Sequence, residues 1–229
     1  MSSKSRSANL PPTQTGPYPD AKFDLIARFY PILERCVFSS QLDKARLAIR
    51  DEALQADRVL LVGEGNGRFL QWLLSHKISG SITVVEKSRV MVRLAKNRIA
   101  GLGKGKVGLE FFETDFRLYR ADQPFDCIVT HFFLDLFDPP AQRIVIENLT
   151  GLATDNATWI NVDFIPPRTL AGRVLMWMQY TFFWVVSWIE ARHCHDETAV
   201  AAQNGWILSE TLGFLNGLVL AKRYQKRRR

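Results

Sequence analysis

Val59–Leu70 reads VLLVGEGNGRFL, and the fold is decided there. Four apolar residues end at Gly63, and two more glycines follow at alternate positions, Gly65 and Gly67, with Glu64 and Asn66 between them. A short apolar run that stops at glycine reads as a strand buried on both faces of a parallel sheet. RFLQWLLSH, from Arg68, then reads as a helix. One glycine suffices for a tight turn with positive φ. Three on alternate positions point to a backbone that a ligand approaches closely, where any side chain would block it. In an open α/β sheet such ligands lie at the carboxyl ends of the strands, where strand order reverses.

The turn also excludes ligands. The dinucleotide fingerprint GxGxxG needs a third glycine at position 68 or 70, and these are Arg68 and Leu70. No Gly-Lys-Ser/Thr follows, so a phosphate-cradling P-loop is excluded too. Glu64 inside the turn would repel a pyrophosphate. An acidic turn suits a ligand with positive charge or amine donors.

Working outward, Asp20 can cap a helix AKFDLIARFY that Pro31 interrupts. Ser40 and Asp43, in capping-box spacing, predict a second helix running through KARLAIRDEAL. SITVVE, ending at Glu86, is a second buried strand, and Ser88 caps RVMVRLAKNRIA, which Gly101 closes. VGLEFFETD and FDCIVTHFF are the third and fourth strands. PPAQRIVIENLTGLA is a helix with proline in its first turn, and ATWINVDFI is the fifth strand. DETAVAAQNGW is a short helix, and WILSETLGF and LVLAKRY flank Asn216-Gly217, a strong hairpin signal. The pattern predicts an α/β fold: a Rossmann-like, doubly wound, mostly parallel seven-stranded sheet with a C-terminal antiparallel hairpin.

The next two strand ends carry suitable chemistry. Glu86 lies about twenty residues past the glycines, where a carboxylate can accept two hydrogen bonds from a ribose diol. Asp115 can accept from the exocyclic amine of adenine, with Phe116 against the ring. Asp115 also reads as an ordinary turn or N-cap residue.

VLLVGEGNGRFL, VVEKS, ETDF and FDCIVTHFFLDLF resemble the first four motifs of class I S-adenosylmethionine-dependent methyltransferases, and the closing hairpin is similar to their reversed last strand. FDLIARFYPIL is similar to the lid helix of the quinone and phospholipid methyltransferase branch. The resemblance implies a flexible arm over 1–19 and a methyltransferase domain over 20–225. Within it, 20–56 would form lid helices and 166–196 an aromatic insertion; 226–229 is a basic tail. It implies S-adenosylmethionine as cofactor. Gly63, Gly65 and Gly67 would cradle its methionine end, and Glu86 would take the ribose. Asp115 and Phe116 would take the adenine, and Thr130 and His131 would line the sulfonium, with Glu64 and Lys87 completing the shell. One departure stands out: Leu61 occupies the position, two before the first glycine, where the family usually has an acid. Glu64 is the expected substitute.

Methyl transfer from a sulfonium is an in-line displacement with a good leaving group, so the protein mainly positions the nucleophile and excludes water. A base is needed only if the acceptor arrives protonated. His131 is the candidate catalytic base, with a backbone-bonded structural histidine as the competing reading. Asp135 is a substrate-site candidate that could equally cap a turn before Asp138-Pro139-Pro140. In RHCHDE, His193 and His195 lie two apart and no second ligand pair is evident, so no metal is expected. The resemblance places this stretch near the substrate entrance, which gives His195 a substrate role.

Val174–Ile189 reads VLMWMQYTFFWVVSWI. Trp177, Tyr180, Trp184 and Trp188 share one helical face, and Leu175, Phe182, Phe183 and Val186 occupy the other. The stretch is short for a bilayer span and contains Gln179. It reads as core, as the wall of an apolar pocket, or as an interfacial helix. Tyr30, Trp177 and Tyr180 are accordingly candidate substrate contacts, for a small-molecule or lipid-like acceptor. An uncovered aromatic helix also leaves a homodimer open.

Lys and Arg number 30 against 23 Asp and Glu, a net charge of +7, which suits an anionic partner such as a membrane surface. Six of the positive charges crowd into Lys222–Arg229, a block that reads as a solvated end. The charge leaves a nucleic-acid methyltransferase as one alternative, although THFF stands where the resemblance would require an Asn/Asp-Pro-Pro-Tyr/Phe signature; Leu61 leaves another, a non-catalytic membrane-peripheral or assembly protein that retains the fold. Three unpaired cysteines and an N-terminus without an apolar signal core predict a cytoplasmic protein, with peripheral membrane contact.

Overall fold

The structure is a computed structural model that describes residues 39–76, 78, 80–102, 107–166 and 195–227. The expected first lid helix with Tyr30, the aromatic stretch with Trp177 and Tyr180, and His193 and Cys194 lie outside the described residues.

The elements in chain order are α1 (Ser39–Arg46), α2 (Asp51–Gln55), β1 (Arg58–Val62), α3 (Arg68–Ser75), β2 (Ser81–Glu86), α4 (Arg89–Ile99), β3 (Gly108–Glu113), β4 (Phe125–His131), α5 (Pro139–Leu152), β5 (Ala153–Phe164), α6 (Thr198–Gln203), β6 (Trp206–Phe214) and β7 (Val219–Lys226). The seven strands form one sheet in the order β3-β2-β1-β4-β5-β7-β6. β1 pairs in parallel with both β2 and β4, so strand order reverses at the β1/β4 crevice. β7 runs antiparallel between β5 and β6. This is the Rossmann-like mixed sheet with a reversed end that the sequence predicts.

Two apolar layers cover the sheet, and the strands alternate between them. Val59, Leu61, Val129 and Ile160 pack with Phe69 and Leu73 of α3 and Ile49 from the α1–α2 connection. Leu60, Val62, Ile128 and Trp159 pack with Val145, Ile146 and Leu149 of α5 on the other side. Burial on both faces is why these strands read as continuous apolar runs.

Two details differ from the sequence pattern. The helix expected through KARLAIRDEAL is two helices, because the ladder tightens at Ala48 N–H to Ala45 O (3.2 Å) and restarts with acidic Asp51 and Glu52 in a new first turn. Asp43 does not close a capping box with Ser40: its carboxylate binds Arg46 (2.9 Å) and Arg68 (2.7 Å). β3 is an edge strand, and no α-helix joins it to β4. A single 3-10 turn, Phe116–Leu118, spans the crossover, and buried Phe116 and Tyr119 join the layer with Leu60, Val62 and Val85.

At the antiparallel end, Glu197 is buried together with Lys222. Its Oε1 accepts from Asn161 Nδ2 (2.8 Å) and from the Tyr224 hydroxyl (2.8 Å), while Lys222 Nζ donates to Asp196 Oδ1 (2.8 Å), Thr198 Oγ1 (2.9 Å) and Glu197 Oε2 (3.3 Å). The hairpin turn places Leu215, Asn216 and Gly217 at positive φ, as the Asn-Gly pair predicts for its own two positions. β6 breaks register with β7 between Leu208 and Glu210. Among the described residues no helix is long and apolar enough to cross a membrane.

Candidate active site at the strand tips

The glycine turn sits where the sheet order reverses. Gly63, Gly65 and Gly67 all have positive φ (63°, 65° and 81°). The Phe133 ring closes over the hydrogen side of Gly63, and a Cβ on Gly67 would stand 2.8 Å from Ala95 Cα. At Gly65 nothing lies within 4 Å of where a Cβ would be. Two glycines are thus demanded by packing, and the third leaves an open approach to the backbone.

Glu64 and Glu86 hold this turn in shape. Gly67 offers α3 no side-chain cap, and Glu64 does so instead: its Oε1 accepts from Phe69 N–H (2.9 Å) and Leu70 N–H (3.0 Å). Burial pushes the Glu64 pKa up to about 7, against the pull of those N–H groups and of the Arg46 charge. Glu86 Oε2 accepts from Gly65 N–H (3.0 Å) and its Oε1 from Ser88 N–H (2.8 Å). Its pKa is raised by burial, which outweighs these bonds.

Asp115 caps the 3-10 turn through Arg117 N–H (3.0 Å), and its carboxylate also takes Arg117 Nε (3.0 Å), Arg117 Nη2 (2.7 Å) and Lys87 Nζ (3.2 Å). Burial works against ionisation there, but the hydrogen bonds and charge of Arg117 hold its pKa well below the usual range. An adenine amine would therefore share this carboxylate with two cations. Phe116 is only 4% exposed and stands edge-on to Phe133.

β4 points its last two side chains to opposite faces. The Thr130 hydroxyl donates to Asn161 Oδ1 (2.8 Å) and accepts from Trp159 Nε1 (2.8 Å), inside the α5-side layer. His131 faces the other way, edge-on to Phe69 with centroids 4.8 Å apart. It is 8% exposed and both ring nitrogens lack hydrogen-bond partners. Burial, then the nearby Arg46 charge, lowers its pKa to about 3. This imidazole is neutral at physiological pH: a good hydrogen-bonding group and a weak base.

Phe132, with φ 53°, turns the chain sharply after β4. The loop then carries Asp135, buried, with one carboxylate oxygen unpartnered. Its carboxyl meets that of Asp163, whose Oδ2 accepts from Leu134 N–H (2.9 Å) and Asp135 N–H (3.2 Å). Burial raises Asp135 to about 6, and burial with the charges of Asp135 and Glu197 raises Asp163 further, so the pair holds a proton at neutral pH. Sequence reasoning missed Asp163, although a carboxylate near the end of a buried strand was the same signal that singled out Glu86. It also missed Arg46, whose guanidinium carbon lies 4.8 Å from the Phe132 ring centroid. His195 directly precedes Asp196 and Glu197, which form a cluster with Lys222.

Among the described residues no group of three His, Cys, Asp or Glu could hold a metal ion. A shallow groove of about 800 Å³ runs between α1, α2, α3 and β6, lined by Leu47, Trp72, His76 and Phe214; none of the glycine turn, Glu86 or His131 lines it.

Residues 59–155 match the family model described as a methyltransferase domain. No curated protein sequence matches the chain. Among solved structures, the N-methyltransferase NodS from Bradyrhizobium japonicum WM9, in complex with S-adenosyl-L-homocysteine, is 16% identical, with 82% of this chain and 84% of that one covered and a TM-score of 0.57. An O-methyltransferase family 2 protein from Planctomyces limnophilus, in complex with apigenin, is 15% identical over 91% and 62%, with a TM-score of 0.66. A SAM-dependent methyltransferase from Methanosarcina mazei is 19% identical over 80% and 98%, with a TM-score of 0.59. The fold is thus the Rossmann-like one these methyltransferases share. Residues 59–155 thus carry a methyltransferase domain, which implies S-adenosylmethionine as its cofactor. The residues present fit that cofactor: an open backbone at Gly65, a carboxylate at the end of β2, and a buried imidazole with unmet hydrogen-bonding capacity.

Proposed function

We propose that the chain transfers the methyl group of S-adenosylmethionine to a small apolar or lipid-linked acceptor, in the cytoplasm or at a membrane surface. The observation that carries the methyl-transfer site is the side-chain-free approach over Gly65 beside the Glu86 carboxylate, at the crevice where strand order reverses. In this reading the turn from Gly63 to Gly67 supports the methionine end and Glu86 holds the ribose. Lys87, Asp115 and Phe116 border the adenine, and Thr130 stiffens the strand that presents His131. The bound cofactor supplies an electrophilic methyl group on sulfur; the chain supplies position and dryness.

His131, neutral, orients a reacting group by hydrogen bonding. Asp135 is the second candidate proton acceptor: one of its carboxylate oxygens is unpartnered, and burial raises its pKa above the usual carboxylate range. Phe132, Phe133 and Phe137 surround the end of β4 with aromatic surface, which favours an apolar acceptor. Tyr30, Trp177, Tyr180 and His195 are the further proposed substrate contacts, in a branch similar to the quinone and phospholipid methyltransferases.

The test is to incubate the protein with methyl-labelled S-adenosylmethionine and, separately, a membrane lipid extract, an aqueous metabolite extract and total RNA. Label entering the organic phase supports the proposal. Label confined to water-soluble products or RNA overturns the acceptor class.

A further inference from the structure

The cofactor ends in an α-amino acid, so its binding site must meet a carboxylate as well as an ammonium. Glu64 and Glu86 bring only negative charge to the turn. The positive charge comes from α1. Arg46 Nη1 holds Asp43 Oδ1 at 2.9 Å, and the other oxygen of Asp43 holds Arg68, the first residue after the glycines, at 2.7 Å. The Arg46 guanidinium lies over Phe132, the residue that follows His131 at the tip of β4. These contacts fix it on two sides: against the start of α3 through Asp43, and against the end of β4 through Phe132. α3 follows the glycine turn and β4 pairs with β1 on its other side, so the guanidinium is held near the turn.

We infer that Arg46 binds the carboxylate of the cofactor's methionine moiety. The inference rests on the cofactor reading above and goes beyond it, by assigning a charged group of α1 to a defined part of the ligand. A guanidinium matches a carboxylate in shape and charge, and it keeps its proton at any pH of interest. Its side chain is 12% exposed, so solvent screens the attraction little. Electrostatics agree: the Arg46 charge reaches both Glu64 and His131, lowering the pKa of each. The arrangement also accounts for Leu61. With an apolar residue at the end of β1, the charges that recognise the amino-acid end come from Glu64 within the turn and Arg46 above it.

The experiment is a titration-calorimetry cycle. S-adenosylhomocysteine and its decarboxylated analogue are titrated into the wild type and into Arg46→Met. The wild type should prefer S-adenosylhomocysteine. Arg46→Met should weaken that ligand by ~10–100-fold, the loss expected for one charged hydrogen-bonded pair. It should leave the decarboxylated analogue within about twofold, because the cycle isolates the pairwise contact. Arg46→Lys should recover part of the loss. Equal weakening of both ligands by Arg46→Met, or none of either, overturns the assignment while leaving the cofactor site standing. Equal affinity of the two ligands for the wild type also overturns it, and needs no variant to fold. Folded wild type that binds neither ligand overturns the cofactor placement itself.

Discussion

Glu86 does two jobs with one carboxylate. It draws Gly65 and Ser88 toward the end of β2, and in the proposed reading it also holds the ribose. Replacing it with alanine removes both roles, so Glu86→Ala should weaken S-adenosylhomocysteine by ~10–100-fold on the scale of hydrogen bonds to a charged group, measured by calorimetry. The melting temperature should fall modestly as well, since Gly65 and Ser88 lose their acceptor. Glu64 makes a different prediction. Its folded-state pKa, about 7, stands above the ordinary 4.5, so the folded chain binds this proton more tightly than the unfolded chain does. Its contribution favours folding in full below about pH 4.5 and is lost as pH rises through 7. Glu64→Gln keeps an acceptor for Phe69 and Leu70 without the ionisation. The melting temperature of Glu64→Gln minus that of wild type should therefore grow between pH 5 and pH 8; a difference that stays constant would refute the burial of this carboxylate. The glycines and Glu86 were legible because they sit at strand ends in a recognisable order. Arg46 was not, because only the seating of α1 on β6 and β7 brings it over Phe132, the residue after β4.

Among elements, the glycine turn separates folding from binding. Ala at position 65 meets no neighbour and carries only the cost of a left-handed backbone, about 1–2 kcal/mol. Ala at position 67 adds an overlap with the backbone of α4 at Ala95, an overpacking cost of roughly 1–3 kcal/mol more. Chemical denaturation should rank Gly67→Ala well below Gly65→Ala, and calorimetry should show Gly65→Ala, although folded, losing most cofactor affinity. Equal stabilities would mean that α4 does not press on the turn. Most elements were legible from apolar runs and caps; Ser88 caps α4 and Asp138 caps α5 through their side chains. The break between α1 and α2 was not legible, because the tightening at Ala48 and the restart at Asp51 carry no proline or glycine to mark them. The crossover from β3 to β4 was legible only as a gap. That a 3-10 turn with Phe116 and Tyr119 could take the place of a helix there depends on what those rings cover.

For the molecule as a whole, the parallel half carries the site and the antiparallel half anchors it. Thr130 binds Asn161, and Asn161 binds Glu197, so the strand that presents His131 is tied by hydrogen bonds to the buried pair of Glu197 and Lys222. Removing one partner of a buried pair leaves the other uncompensated, at a cost of about 3–5 kcal/mol. Glu197→Ala should show that loss in a denaturant midpoint; a loss under about 1 kcal/mol, the size of an exposed pair, would mean that the cluster is solvated. The seven-strand order was legible in outline from the alternation of runs and from Asn216-Gly217. The charge cluster that locks it was not, because its members lie on two segments, the entry to α6 and β7, that only the folded sheet brings together.

The kink in β6 has a colloidal consequence. Ile207 and Leu208 are 52% and 39% exposed on an outermost strand, the kind of surface that recruits further copies into ribbons. The irregular pairing at Leu208 and Glu210 denies a newcomer a straight ladder on which to zip. Concentrated solutions should therefore stay clear of fibrils, and straightening that one position by deletion should be enough to bring them on.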